Sequence, residues 1–411
     1  MLQALYPAGD AVVGALILVC FYLFPVAFYE IFGRKIHRRA STGLDWGTPR
    51  EGDLRRVGIK LVGFTAIIAA VILVHAVFRI YAVHRLIPPL TAFIILAPFV
   101  APIALVYFYQ IDRRMTDPRD GYLELGNWIL KRNFTPDWEL LKNFTLGWAI
   151  KGFFLPVMFT YLVFNLPTLH DQFMHMSQGP ITAVAFLAKI MVILELSIVV
   201  VGYSMTLKLF DAHIRSPNRL LGAWVVTLIC YEPLNTIIAG SVIRFRNDQD
   251  WTAVIGDYPV MMWPWLGLIL VSFFVWVWAT AIFGLRWSNL TNRGIITNGP
   301  YAYTKHPDYA AKSIFFWLTA VPFLTAVSPW GALTASLALV VVNGIYFGRG
   351  RMEEKHLSDD PAYVEYALEM NRRSVFRHIA RVFPALIYTA PDGRTGLENG
   401  HIPPHSAVPA E

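Results

Sequence analysis

The residues best able to do chemistry stand in two short stretches. The first is TNGPYAYTKHPDYAAK, residues 297–312, which crowds Lys305, His306, Asp308 and Lys312 around two prolines and three tyrosines. The second is GRGRMEEKHL, residues 348–357, where the adjacent acids Glu353 and Glu354 follow Arg349 and Arg351. Between them lie two apolar runs joined at Ser328-Pro329. Gly299-Pro300 permits a sharp turn. A residue before proline is pushed toward extended backbone, so His306 is expected at the mouth of the helix that follows, not inside it. If the apolar runs form a tight hairpin, the chain returns to where it left, and Glu353 and Glu354 meet His306 and Tyr309 at one mouth. Carboxylates, His, Lys and aromatic faces together suit a zwitterionic, partly cationic ligand. The same residues have plainer uses. The tyrosines could form an aromatic belt with a snorkelling lysine, and the acids could make salt bridges on a solvated helix, worth little energy.

The elements that must hold these stretches are membrane spans. Of 411 residues, 55% are hydrophobic and only 15% charged, against about 25% charged in a soluble domain, and the mean hydropathy is +0.47. A bilayer-crossing helix needs about 20 apolar residues. Such runs lie near 11–32, 57–81, 90–110, 146–164, 181–207, 219–239, 263–285, 309–327 and 329–347. The expectation is an all-α, polytopic integral membrane protein of about nine spans, the last two being the hairpin. Lys and Arg number eight, seven, three, four and eight in 33–60, 112–151, 208–219, 286–313 and 349–411. With nine spans, all five segments fall on one side. By the positive-inside rule that side is the cytoplasm, with the N-terminus outside. The basic cluster follows the first apolar run, the wrong order for a secretory signal, so a retained first span is expected, in a bacterial inner membrane.

Several classes are excluded. The net charge of +7 comes from residues flanking spans and lacks interleaved aromatics, so no nucleic-acid partner is expected. Cys20 and Cys230 lie apart in apolar runs without metal-ligand spacing, so no metal site is expected. Two further elements read from local signals. Leu125, Trp128 and Ile129, followed by Lys131 and Arg132, suggest a helix on the membrane surface. Thr135-Pro136-Asp137 reads as the start of the next helix, with Thr135 as the cap. Residues 391–411, rich in Pro, Gly and polar side chains, read as a loose tail. Within the spans, Glu232 and Asn235 stand three apart and would share a helix face lining a substrate cavity.

At Gly299, Pro300, Tyr301, His306, Pro307 and Tyr309, and after the hairpin at Glu353, Glu354, Tyr363 and Tyr366, with Arg372 or Arg373 beyond, the chain resembles the C-terminal core of the isoprenylcysteine carboxyl methyltransferases. The related phospholipid methyltransferases share that core. Lys305 stands where the family has Arg, and Ala311 where it has Gly. The resemblance covers about residues 280–385, leaving 1–279 as an N-terminal multi-span region. It implies a membrane-embedded methyltransferase that binds S-adenosylmethionine in a cytoplasm-facing pocket and acts on an amphiphilic, lipid-like, possibly prenylated substrate. Carried over, Gly299, Pro300, Tyr301, His306, Pro307, Tyr309, Arg349, Glu353 and Glu354 would contact the cofactor. His306 and Glu354 would be the catalytic pair, and Arg372 and Arg373 would bind substrate with Glu232 and Asn235. A carboxylate or thiolate acceptor needs no base; an amine would need Glu354 or His306. Two other readings remain: a sterol-type membrane reductase using NADPH, and a non-catalytic scaffold or transporter.

Overall fold

The computed structural model describes residues 6–78, 83–130, 135–241, 243–247 and 249–397. Lys131, Arg132 and the 398–411 part of the expected tail lie outside them. The chain is an all-α polytopic membrane protein; the described strands are one antiparallel two-residue pair, Ser216–Pro217 with Thr291–Asn292. In order, the helices are α1 (Tyr6–Phe28), α2 (Leu54–Phe78), α3 (Val83–Asp112), α4 (Gly121–Leu130), α5 (Trp138–His175), α6 (Pro180–Ser204), α7 (Leu221–Leu228), α8 (Leu234–Ser241), α9 (Trp251–Ile255), α10 (Pro259–Ala281), α11 (Pro307–Ala320), α12 (Pro322–Thr325), α13 (Pro329–Leu357), α14 (Pro361–Arg373) and α15 (Arg377–Val382).

Seven described helical stretches are long and apolar enough to cross a membrane: Gly9–Gly33, Leu54–Phe78, Leu86–Asp112, Trp138–Gln178, Pro180–Ser204, Pro259–Ala281 and Pro329–Leu357. The other two expected runs are broken. In 219–239, Pro233, which lacks a backbone N–H, separates α7 from α8. In 309–327, α11 stops at Val321, whose φ of 38° is left-handed, and Pro322 begins the short α12. Hydropathy averages over both breaks.

The chain forms two compact units. Unit 1 comprises Met1–Thr168, Leu196–Pro217 and Gly284–Arg293. In it, α4 docks on α2 through paired glycines: a Cβ at Gly63 would overlap the Tyr122 carbonyl, and one at Gly126 the Ile59 carbonyl. Trp128 and Ile129, near the end of α4, are exposed on the protein surface. The start of α5 also differs from expectation. The Asp137 carboxylate, not Thr135, caps it, accepting from the Glu139 and Leu140 amides at 3.0 Å each. Lys60, 1% exposed, pairs with Asp112 at 2.9 Å and Asp120 at 2.8 Å, and Arg56 closes on Asp112 at 2.6 Å. Arg293, 3% exposed, donates to the carbonyls of Ala212, Gly202, Trp287, Met205 and Leu285. Its five N–H groups meet five acceptors.

Unit 2 comprises Leu169–Glu195, Asn218–Phe283 and Gly294–Glu411. Trp251, Ile255, Leu266, Ile269 and Val321 form a core with Phe315 and Leu318 packed against it. α11 lies beside α10, and the Trp265 indole donates to the Leu318 carbonyl at 2.9 Å. Ser328 caps α13 by accepting from the Gly331 amide at 3.1 Å. That helix runs past the expected end of its span to Leu357, so Arg349, Glu353 and Glu354 ride on the same rigid helix that crosses the apolar layer.

Candidate active site

The loop before α11 is shaped locally. Gly299 has φ +57°, and a Cβ there would stand 3.2 Å from the Ile282 side chain, so glycine makes the turn into the Gly299–Ala302 helical turn. Tyr301 packs edge-on to Phe283, with ring centres 5.3 Å apart. His306, extended before Pro307, is the N-cap residue of α11. Pro307 fills the first helical position, where no amide hydrogen bond is lost.

α13 then brings its acids to His306. Nε2 of His306 is 3.3 Å from Glu354 Oε1, and Nδ1 is 3.7 Å from Glu353 Oε2. The Tyr309 hydroxyl donates to Glu353. Glu354 holds two more cations, Lys305 at 2.8 Å and Arg351 at 2.5 Å. The His306 and Tyr309 rings stack at 5.6 Å, Tyr309 stacks on Tyr346 at 5.6 Å, and the Arg349 guanidinium lies 5.0 Å over Tyr309. Gly350 faces His306: a Cβ there would lie 3.1 Å from the ring's Cδ2.

Burial pulls the His306 pKa down, but the hydrogen bond and charge of Glu354, with the charge of Glu353, win, and the pKa stands above its ordinary value. Glu354 faces Nε2 and Glu353 faces Nδ1, so the surroundings favour the protonated ring. Burial lowers the Lys305 pKa, and Glu354 only partly restores it. Burial keeps the Tyr301 hydroxyl protonated.

Beside this cluster opens a cavity of about 360 Å3, within the range of small-molecule sites. His306, Tyr309 and Glu354 line it with Lys305, Tyr346 and Arg377. Of the residues expected to contact a cofactor, Gly299, Pro300, Tyr301, Pro307, Arg349 and Glu353 stand behind these, shaping or holding them. α14 braces the loop: the Tyr366 hydroxyl donates to the Tyr301 carbonyl at 2.7 Å. Residues 384–397 fold back over α14. Asn371 donates to the Tyr388 and Thr395 carbonyls at 2.7 Å each, and Lys305 lies 5.5 Å over the Tyr388 ring. Within the expected tail, the Thr395 carbonyl is thereby held to α14, while Pro391–Arg394 and Leu397 are exposed.

The four expected substrate residues are not brought to this cavity. Arg372 and Arg373 are exposed on α14, and Arg373 pairs with Glu369 at 2.7 Å. Glu232 precedes α8, which begins at Leu234, and so does not share a helix face with Asn235; Glu232 accepts from Thr236. Asn235 instead lines a second cavity of about 530 Å3, bounded also by Arg246, Phe316 and Tyr346. Tyr346 lines both cavities. Sequence reading missed Arg377, Asn371 and Tyr388. No motif marks them; Gly350, a glycine inside a helix that costs about 1 kcal/mol against alanine, signals only the close approach of His306.

These loops and helices have known counterparts. Residues 265–359 match the model of the isoprenylcysteine carboxyl methyltransferase (ICMT) family. The matched stretch carries the core of a methyltransferase family, and both halves of the His306–Glu354 cluster fall inside it. The bracing residues Tyr366, Asn371 and Tyr388, and Asn235 before it, fall outside the ICMT stretch. No curated protein and no solved structure matches the chain.

Proposed function

We propose that the protein is an S-adenosylmethionine-dependent methyltransferase, embedded in a bacterial inner membrane with its N-terminus outside and this site facing the cytoplasm. Its acceptor is an amphiphilic, lipid-like molecule. One observation carries the reading: His306 and Tyr309 meet Glu353 and Glu354 across the hairpin, beside a cavity of ligand size.

The residues present suit the cofactor's groups. A zwitterionic amino acid part needs cations for its carboxylate, and Lys305, Arg351 and Arg377 line the cavity. A sulfonium favours aromatic faces, which the Tyr309–Tyr346 stack supplies. When bound, the cofactor would supply an electrophilic methyl group; the acceptor forms the new bond as the sulfur–methyl bond breaks, leaving a neutral thioether.

The chain's own residues align and exclude water. Glu354, saturated by Lys305, Arg351 and His306, acts as the anchor that orients them and is poorly placed to accept a further proton. His306, whose protonated form the two acids favour, donates a hydrogen bond to Glu354. This favours an acceptor that is already a carboxylate or thiolate, for which no base is required. The Asn235 cavity, joined to the site by Tyr346, is the proposed place for the acceptor's apolar part.

The test is a thermal-shift titration of detergent-purified protein with S-adenosylmethionine, S-adenosylhomocysteine and NADPH, repeated on His306→Ala. Stabilisation by the adenosyl ligands, lost in the variant, is expected, because a ligand binding only the native state raises its stability. Stabilisation by NADPH alone sinks the methyltransferase reading in favour of a reductase.

A further inference from the structure

A second cluster of charge lies in unit 1, in segments just beyond the ends of the membrane helices Gly9–Gly33 and Pro180–Ser204. Arg39, Arg215 and Arg286 all bear on one carboxylate, Asp211, which is 1% exposed. Asp211 is 3.7 Å from Arg39 and 3.6 Å from Arg215, both longer than a hydrogen bond, and its closest partner is the Ser41 hydroxyl at 2.8 Å. The next acid, Glu30, is already paired with Arg34 at 3.1 Å. Three guanidinium groups therefore bear on this one carboxylate.

The arrangement is costly as it stands. Arg286 Nη1 is buried with no hydrogen-bond partner, and a buried charge normally has its donors met. Burial lowers the Arg286 pKa; Asp211 and Glu30 oppose, but Arg39 and Arg34 reinforce the fall. His213 senses the same excess of positive charge. Burial and Lys208 push its pKa down to about 4, with Asp211 opposing and Arg215 and Arg293 adding to the fall. Its Nδ1 also lacks a hydrogen-bond partner.

We propose that Arg39, Arg215 and Arg286 form a binding site for a phosphate group, that of an anionic phospholipid. Three features point there. The guanidinium fork matches phosphate oxygens. Arg286 Nη1 is buried without an acceptor. The site's segments follow directly from two membrane helices, which sets them at headgroup depth, where anionic lipid concentrates on basic surfaces. The bound headgroup would accept from Arg286 Nη1 and relieve the repulsion among the three cations. It would thereby tie the ends of α1 and α6 to the 284–286 turn.

The test uses full-length protein, stripped of lipid in neutral detergent and titrated with mixed micelles containing phosphatidylglycerol or phosphatidylcholine, and separately with inorganic phosphate. Phosphatidylglycerol is expected to raise Tm by roughly 3 °C, phosphatidylcholine less. The double variant Arg39→Gln/Arg286→Gln is expected to lose the rise and to be no less stable than wild type before lipid is added, since it sheds repulsion. An equal rise with inorganic phosphate supports the site and makes its occupant a soluble anion. If the double variant does not fold, Arg286→Lys, which keeps charge and loses the fork, is expected to fold and show a reduced rise. An unchanged lipid-dependent rise in either variant, or no rise with any phosphate source in wild type, overturns the proposal. A drop in the lipid-free Tm of Arg286→Lys with its lipid response intact assigns Arg286 to holding Asp211 and overturns it too.

Discussion

In unit 1, Lys60 and Arg293 are buried, and the five N–H groups of the Arg293 guanidinium each meet a backbone carbonyl. In unit 2, Lys305, His306 and Glu354 are also largely buried, but they line a cavity. Both regions carry charge out of water, and both offset its cost with partners at close range. What separates them is what lies alongside. Arg293 is surrounded by its own chain. His306 has a glycine on one side, a tyrosine stack on another, and open volume in front. Buried charge alone therefore marks no site; buried charge bordering a cavity of ligand size, with aromatic faces, does.

The comparison can be broken from the unit 1 side first, where the largest effects are expected. Arg293→Met strands five carbonyls, and with each worth about 1 kcal/mol or more the loss in stability should approach 5 kcal/mol. Lys60→Met leaves Asp112 and Asp120 short of a cation and should cost about 3 kcal/mol. In both variants, the protein that remains folded should bind S-adenosylmethionine as tightly as wild type. Thermal unfolding in detergent and a binding isotherm check the two halves of this claim. Weakened binding with unchanged Tm would place these charges in the site and end the distinction.

From the unit 2 side the signature should invert. Glu354→Gln keeps shape but releases three cations, so methyl transfer should fall about 100-fold while Tm moves much less than in Arg293→Met. Gly350→Ala sharpens the contrast. Alanine in a helix interior gains about 1 kcal/mol of propensity, yet its Cβ would stand 3.1 Å from the His306 ring. Activity is expected to drop about tenfold with stability level or raised. Equal activity in Gly350→Ala would mean that the position of His306 does not matter.

How much of this was legible depended on sequence distance. The Gly299 turn, the placement of His306 before Pro307 and the Ser328-Pro329 start of α13 are local, and each followed from two or three residues. The meeting of His306 with Glu354 followed from hairpin geometry, because a short return brings both ends together. The Lys60 pairs with Asp112 and Asp120, and three of the five carbonyls around Arg293, join residues far apart with no motif, so nothing in the sequence announced them. The same holds for Asn371, which binds a segment that composition alone marked as loose. The breaks in the 219–239 and 309–327 runs were hidden for another reason: an apolar run scores alike whether its backbone is continuous or broken at Val321.

The smallest effect expected is a pH dependence of stability, and its sign is informative. His306 has a folded-state pKa above its unfolded value of about 6.5. Between those two values the native state holds more protons than the unfolded state, so stability falls as pH rises. The contribution of His306 is full below about pH 6.5 and is lost as pH passes through the raised folded value. Lys305, held below its usual value by burial, acts in a separate, more alkaline window with the opposite sign, so stability there rises with pH. Tm measured against pH for wild type and His306→Gln isolates the first. The wild-type excess should be largest on the acid side and shrink on going alkaline. An excess that instead grows with pH would show a neutral ring in the native state, and would make His306 available as the base that an amine acceptor requires.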